Sequence, residues 1–110
     1  MIAIIETQQF ADKADKIMSA AEKDGLFDFI ARNPEAGDII PSTGGVRKLR
    51  YAMQGKGKRG GARVIYYYYN DRNPLLLFTI FGKNERSDLN QEEKNALYTI
   101  IQKIKKEMKS

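Results

Sequence analysis

The chain has 110 residues, of which 42% are hydrophobic and 30% are charged, a composition typical of one soluble globular domain. It contains no histidine and no cysteine, which excludes Ser-His-Asp and Cys-His relays, the usual zinc ligands and any disulfide. The longest apolar run, Leu75 to Ile80, is far shorter than the ~20 residues of a membrane helix, and the N-terminus lacks the basic region of a signal peptide. We therefore expect a single cytoplasmic domain over residues 1–110 that binds no metal, cofactor or membrane.

The net charge of +5 is distributed unevenly along the chain. Residues 1–38 carry a net charge of −4, residues 39–70 carry +7 without a single acidic residue, and residues 71–110 carry +2. The seven central cations are Arg47, Lys48, Arg50, Lys56, Lys58, Arg59 and Arg63. Such a segment favours binding of a polyanion. The alternative is a solvated basic surface, although solvated surfaces usually mix charges of both signs.

The first 45 residues are predicted to form a strand, two helices and a loop. Apolar residues 2–5 indicate a strand, and an apolar spacing of three and four indicates an amphipathic helix over residues 8–18. Ser19 and Glu22 have the spacing of a capping box that begins a second helix. Asn33-Pro34 ends that helix, because the residue before a proline disfavours helical geometry. Residues 35–45, which contain three glycines and a proline, are predicted to form a loop.

The rest of the chain is predicted to contain three strands and a last helix. The strands cover residues 46–53, 62–69 and 75–81, with a turn at 70–74 and a loop at 82–89. Asn90 and Glu93 cap a helix whose apolar stripe is Leu97, Ile100, Ile101, Ile104 and Met108. The order β-α-α-β-β-β-α predicts an α+β fold, in which a small, mostly antiparallel twisted sheet of about four strands has helices against one face. The other face would be free for function.

A glycine-rich basic segment, Gly55-Lys-Gly-Lys-Arg-Gly60, separates two of these strands. It matches GxGxxG, but a strand follows it where a dinucleotide-binding motif requires a helix, and it lacks the P-loop spacing. The segment can be a simple hairpin connection. We favour a basic loop over a sugar-phosphate backbone, because glycine allows close approach of the main chain to phosphate and three cations attract it.

Arg63 and Lys83 are predicted to meet at one end of the sheet. With a turn at residues 70–74, cross-strand partners have numbers that sum to about 144–146, so Arg63 lies opposite residues 81–83. The alternative is two ordinary charges at strand ends. Alternation places Tyr67 and Tyr69 on the Arg63 side of the strand, and most of the run Tyr66–Tyr69 is expected to pack in the core with its hydroxyl groups at the rim.

Three strings together resemble a known family: GGVRKLR (44–50), GKGKRGGARVIYYYY (55–69) and LLLFTIFGKNERSDLN (75–90). They are similar to the RelE/HigB-type toxins of bacterial toxin–antitoxin modules, in particular the HigB-like branch of the RelE/ParE superfamily, over about residues 34–95. The resemblance implies a cytoplasmic toxin that cleaves messenger RNA, commonly in the A site of the 30S ribosomal subunit. It also implies a cognate antitoxin, often with a helix-turn-helix domain. We expect a monomeric toxin that forms a hetero-oligomer with the antitoxin.

The resemblance also assigns site residues. It implies that Lys56 and Lys58 are the loop lysines, that Arg63 holds the scissile phosphate and that Lys83 is the basic residue after the last strand. RNA supplies its own nucleophile, the 2′-hydroxyl, so we expect metal-free cleavage in which Lys56 or Lys58 is the base and Lys83 is the acid or a second phosphate clamp. Crowding by other cations would lower the pKa of a loop lysine as a base requires. The predicted contacts to the RNA backbone are Lys48, Arg50, Arg59 and Arg86.

Some relatives use a histidine or tyrosine near the active site for proton transfer. This chain has no histidine, and no tyrosine follows Phe81 until Tyr98, so the choice of acid and base stays open. Two other functions are compatible with the same residues. One is a ParE-like toxin that binds DNA gyrase without cleaving RNA, and the other is an RNA-binding module without enzymatic activity.

Overall fold

The computed structural model describes residues 2–53 and 61–108, and within them it has three helices and one five-stranded sheet. The strands are β1 (Ile4–Glu6), β2 (Asp38–Ile39), β3 (Arg47–Tyr51), β4 (Ala62–Tyr67) and β5 (Leu75–Gly82). The helices are α1 (Gln8–Ile17), α2 (Ala20–Arg32) and α3 (Gln91–Lys105). The α+β class and the predicted order of helices and longer strands are confirmed.

The strands are arranged in the order β1-β5-β4-β3-β2. The pairs between neighbours are antiparallel except for β1 and β5, which are parallel. The fifth strand, β2, lies within the segment that we predicted to be a loop. It pairs only Asp38 and Ile39 with Lys48 and Arg47, and two residues are too few to show the alternation by which a strand is recognised in a sequence.

Three helix ends form as the sequence predicts. At the start of α2 the Ser19 hydroxyl accepts the Glu22 amide, and the Glu22 carboxylate accepts the Ser19 amide. Asn90 and Glu93 form the same reciprocal pair at the start of α3. Asn33 is the C-cap of α2. These local bonds satisfy amide groups that a helix end otherwise leaves without partners.

The helices pack against both faces of the sheet, so the prediction of helices on one face only is wrong. On one face, Phe10, Ala14, Leu26 and Ile30 of α1 and α2 form a core with alternate residues of the strands. On the other face, Leu97 and Ile101 of α3 pack with Ile65, Tyr67 and Phe81. The physical reason is β4, in which all six residues are buried. A strand whose side chains are buried on both faces of the sheet requires helices or other elements packed against both faces.

The register of the hairpin between β4 and β5 fixes which side chains are neighbours. Arg63 lies opposite Phe81 and Ala62 lies opposite Gly82, within the range that the sequence predicts. An irregularity between Ile65 and Tyr66 shifts the register by one residue farther along. β4 ends at Tyr67 rather than Tyr69. Among the described helices, none is long and apolar enough to cross a bilayer.

Candidate functional site

Two arginines lie side by side on the α3 face of the sheet. Arg50 of β3 is the direct cross-strand partner of Arg63 in β4. Side chains of such partners project from the same face, with Cβ atoms about 4.5–5.5 Å apart. Arg63 is only 8% exposed, whereas Arg50 is exposed. Leu49 and Tyr51 face the opposite core together with α1 and α2.

The pairing of Arg50 with Arg63 favours an anion. Like charges placed directly opposite each other in a sheet destabilise it. A phosphate between the two groups would replace repulsion with attraction, because each guanidinium can donate two parallel hydrogen bonds to phosphate oxygens. The arrangement can therefore hold and polarise a phosphodiester.

Phe81 and Arg86 lie next to Arg63 on its β5 side. Phe81 is the cross-strand partner of Arg63 and is buried. The guanidinium carbon of Arg86 lies 5.0 Å from the centroid of the Phe81 ring, within the range of a cation–π contact. The sequence does not single out Phe81 as a neighbour of the candidate site except through its predicted register opposite Arg63.

Glu93 holds Arg86 in this position. Arg86 Nη1 donates to Glu93 Oε2 at 3.0 Å, and Nη2 donates to Glu93 Oε1. The hydrogen bonds from Arg86 lower the pKa of Glu93, and burial opposes them only in part. The same bonds raise the pKa of Arg86. Glu93 thus caps α3 and fixes an arginine at the same time, a double role that its capping-box spacing alone does not reveal.

A second acidic residue, Asp88, pairs with Lys48. Lys48 Nζ lies 3.3 Å from Asp88 Oδ1, and the Leu89 amide donates to the same oxygen at 2.8 Å. Burial raises the pKa of Asp88, but the Leu89 amide and Lys48 together outweigh it, so that the net pKa is lowered. Two of the four predicted RNA-binding cations, Lys48 and Arg86, are therefore bound to carboxylates within the protein.

Lys83 lies at the same end of the sheet as Arg63. Its backbone amide donates to the carbonyl oxygen of Gly61 at 3.3 Å, and its side chain is exposed just after β5. Lys56, Lys58 and Arg59 lie outside the described residues, in the segment that connects Met53 to Gly61. The structure thus brings Arg50, Arg63 and the backbone of Lys83 to the same end of the sheet.

Gly61 is required at the entrance to β4. Its φ of 66° lies in the left-handed region, and a Cβ at this position would collide with the carbonyl oxygen of Tyr51. Only glycine fits without strain. Because several glycines surround it in the sequence, no pattern distinguishes this one from its neighbours.

Arg47, counted among the central cations, has a structural contact instead. Its Nη1 donates to the carbonyl oxygen of Gly37 at 2.7 Å and to that of Glu35 at 3.2 Å. Arg47 thereby fixes the segment before β2. Of the tyrosine run, Tyr66 and Tyr67 are buried and Tyr69 is 40% exposed.

A comparison with protein-family models identifies the chain. The model described as the RelE toxin of the RelE/RelB toxin–antitoxin system matches residues 30–110. The matched part contains Arg50, Arg63, Lys83, Arg86 and the whole of α3. RelE toxins are generally ribonucleases that inhibit translation and that pair with a cognate antitoxin. The chain belongs to the RelE toxin family.

Proposed function

We propose that this toxin is an endoribonuclease that inhibits translation by cleaving messenger RNA, without a metal ion, at the paired arginines Arg50 and Arg63. The observation that supports the proposal most strongly is the direct cross-strand pairing of these two residues on one face of the sheet. A second support is the position of Lys83, whose backbone is hydrogen-bonded at the same end. The family of the chain agrees with this activity.

The proposed reaction uses the nucleophile that RNA carries. The 2′-oxygen forms a bond to phosphorus while the bond from phosphorus to the 5′-oxygen breaks. A base accepts the proton of the 2′-hydroxyl, and an acid gives a proton to the leaving 5′-oxygen. The products are a 2′,3′-cyclic phosphate and a 5′-hydroxyl. The protein must align these groups and stabilise the additional negative charge on the phosphate oxygens.

Each role is assigned by charge and position. Arg63 and Arg50 bind the non-bridging oxygens of the scissile phosphate. Lys83 is the acid or a second clamp on that phosphate. The base is Lys56 or Lys58, and these two assignments come from the sequence. Arg59 and Arg86 contact the RNA backbone on either side, and Lys48 contacts it when it is released from Asp88.

The family and the positive charge support a proposal for the substrate and the partners. We propose that the messenger is cut in the A site of the 30S ribosomal subunit in the cytoplasm and that the toxin belongs to the HigB-like branch. The toxin domain covers residues 1–110 and is monomeric when free. Its cognate antitoxin, with a helix-turn-helix domain, binds it in a hetero-oligomer.

Mapping of 5′ RNA ends after induced expression tests the proposal. Expression without the antitoxin should produce discrete cuts in messenger RNA and arrest growth. Arg63→Ala should abolish both while the protein still folds and binds the antitoxin. Arg72→Ala, in the turn at the other end of the β4–β5 hairpin, should change neither. Intact transcripts together with a DNA-damage response would instead indicate a gyrase-binding toxin, and harmless expression would indicate an RNA-binding module.

A further inference from the structure

The guanidinium group of Arg86 is held along its edges and covered on one face. Nη1 and Nη2 donate to the carboxylate of Glu93, and Nε donates to the backbone carbonyl oxygen of Asp88 at 3.0 Å. The guanidinium carbon lies 5.0 Å from the centroid of the Phe81 ring. These contacts come from α3, from β5 and from the segment between them, so they fix the orientation of the guanidinium plane as well as its position.

The same contacts take up the donors with which Arg86 would bind a phosphate. A guanidinium group binds phosphate through two parallel N–H groups on one edge. The edge formed by Nη1 and Nη2 faces Glu93, whose negative charge also repels a phosphate from that side. On the adjacent edge, Nε is used by Asp88. Arg86 therefore attracts the RNA backbone by its charge, and a close contact with RNA has to use another part of the group.

The part that remains is the face of the guanidinium group opposite Phe81. The Phe81 ring is 1% exposed and lies under Arg86, whereas the side chain of Arg86 is 29% exposed. A flat ligand therefore approaches Arg86 from the side away from the ring. Unpaired bases of RNA stack on arginine planes in this way, and cation–π attraction strengthens the stack.

This free face lies next to the proposed phosphate site. Arg63 and Phe81 are direct cross-strand partners, whose Cβ atoms are about 4.5–5.5 Å apart, and Arg86 lies over Phe81. A phosphate held by Arg63 thus brings its flanking nucleotides toward Arg86. A base held on that face would fix the ribose attached to it, and alignment of the ribose 2′-oxygen is what the proposed reaction requires.

A purely structural ion pair accounts less well for this arrangement. The side chains of Arg86 and Glu93 are 29% and 35% exposed, and pairs with such access to water add little stability. Holding two long side chains in one geometry also costs conformational entropy. A plane that is oriented before the ligand arrives lowers the ordering cost of binding, which gives the arrangement a use.

We propose that Arg86 is a stacking platform for one of the two bases that flank the scissile phosphate, and that Glu93 is the positioning residue that holds its plane. This inference rests on the proposed nuclease function and extends it from the phosphate to a base. Stacking is tolerant of sequence because every base has a π-face, and its strength sets modest preferences. We therefore expect a preference for a purine, which has the larger face, beside the cut.

The test combines removal of a base with substitution of Arg86. Ribosomes are programmed with a messenger that is abasic, but keeps its 2′-hydroxyl, at the nucleotide either 5′ or 3′ to the mapped cut. We expect one of these changes to lower kcat/KM of the wild type at least about fivefold. Arg86→Lys keeps the charge without the plane. It should cleave the normal messenger at least about fivefold more slowly and lose less than about twofold more on base removal. Arg72→Lys, in the turn at the far end of β4, should behave like the wild type.

A second pair of variants tests the positioning role of Glu93. Glu93→Gln keeps the capping box of α3, because glutamine also serves at that position, but it removes the anion that holds Arg86. Base removal should then cost this variant at most about half as many fold as it costs the wild type. Glu22→Gln makes the same change in the capping box of α2, and it should show the full wild-type cost. Equal costs in the two variants would contradict the positioning role.

The remaining outcomes separate stacking from folding and from the nuclease function. Full activity of Arg86→Lys, or an unchanged cost of base removal in that variant, would overturn the proposal. If thermal melts show that Arg86→Lys unfolds, Arg86→Met replaces it, because methionine keeps an unbranched side chain over Phe81. If the wild type leaves the normal messenger intact, the nuclease function fails instead. Affinities for normal and abasic RNA oligonucleotides then test stacking, and equal affinities of the wild type for both would overturn it.

Discussion

Arg50 lies directly opposite Arg63 across the ladder between β3 and β4, and Phe81 is the partner of Arg63 on its other side. Arg63 in β4 thus has a cationic neighbour, Arg50, in β3 and an aromatic neighbour, Phe81, in β5. Like charges in this relationship repel each other, and an anion between two guanidinium groups would replace that repulsion with attraction. This pairing is the geometry on which the proposed phosphate site rests.

Replacing Arg50 by glutamine should separate stability from function. Arg50→Gln removes the repulsion and should raise the free energy of unfolding at low salt by about 0.2–1 kcal/mol. The same change should lower RNA cleavage by at least about tenfold, because one phosphate contact is lost. Urea denaturation and initial cleavage rates measure the two effects. A less stable variant with full activity would show that the pair is structural.

Releasing Lys48 from its acidic partner should strengthen RNA binding. Asp88→Asn removes the carboxylate that lies 3.3 Å from Lys48, which frees one cation for phosphate. The salt dependence of the RNA dissociation constant should become steeper by about 0.7–0.9 log units per log unit of salt. Asp71→Asn removes the same charge in the turn at the far end of β4, and the slope should stay as in the wild type. Equal slopes for both variants would contradict this role of Lys48.

The stability of the toxin should fall in acid. The pKa values of Glu93 and Asp88 are both lowered in the folded protein. In the unfolded chain these groups take up protons at higher pH, so their contribution is complete above about pH 4.5 and is lost as the pH falls through the folded pKa values. For the half-exposed Glu93–Arg86 pair we expect about 1 kcal/mol. Unfolding free energies measured between neutral and acidic pH report this loss.

The two capping boxes provide a matched control for the acid effect. Glu93→Gln removes the pair with Arg86 and should flatten the pH dependence of stability. Glu22→Gln weakens the capping box of α2 and leaves the pair of Glu93 with Arg86 in place. The stability of this variant should therefore depend on pH more steeply than that of Glu93→Gln. If both variants followed the wild-type curve, the Glu93–Arg86 pair would not cause the acid sensitivity.

Two glycine-to-alanine changes should shift the free energy of unfolding in opposite directions. Gly61→Ala meets both a positive φ and the Tyr51 carbonyl, and it should lower the free energy of unfolding by at least about 1 kcal/mol. Gly25→Ala lies within α2, where the added Cβ meets only the Tyr51 hydroxyl at 3.0 Å. Alanine is favoured over glycine there by up to about 1 kcal/mol. An unchanged free energy of unfolding in Gly61→Ala would contradict the requirement for glycine at this position.

Local signals in the sequence predicted most of the fold. Ser19 with Glu22 and Asn90 with Glu93 define helix starts through bonds between residues three apart. The hairpin register follows from the turn length, so the place of Arg63 opposite Phe81 could be derived. The match to the RelE family model confirms the predicted RelE-type toxin, and the HigB-like branch stays a prediction.

Contacts between distant segments could not be derived in this way. The position of α3 on the Arg63 face depends on packing of Leu97 and Ile101 against residues of β4 and β5, and apolar periodicity does not say which face a helix covers. The pairing of Lys48 with Asp88 spans forty residues, and charge counting along the chain cannot detect it. The basic segment therefore has fewer uncompensated cations in the fold than in the sequence.

The most direct test of cleavage by the ribose hydroxyl removes one oxygen atom from the substrate. Purified toxin would be added to ribosomes programmed with a messenger that has a single 2′-deoxy nucleotide immediately 5′ to the mapped cut. We expect the normal messenger to yield a 2′,3′-cyclic phosphate and the deoxy messenger to stay intact. Cleavage of the deoxy messenger at the same bond would contradict attack by the ribose hydroxyl at the Arg50–Arg63 site.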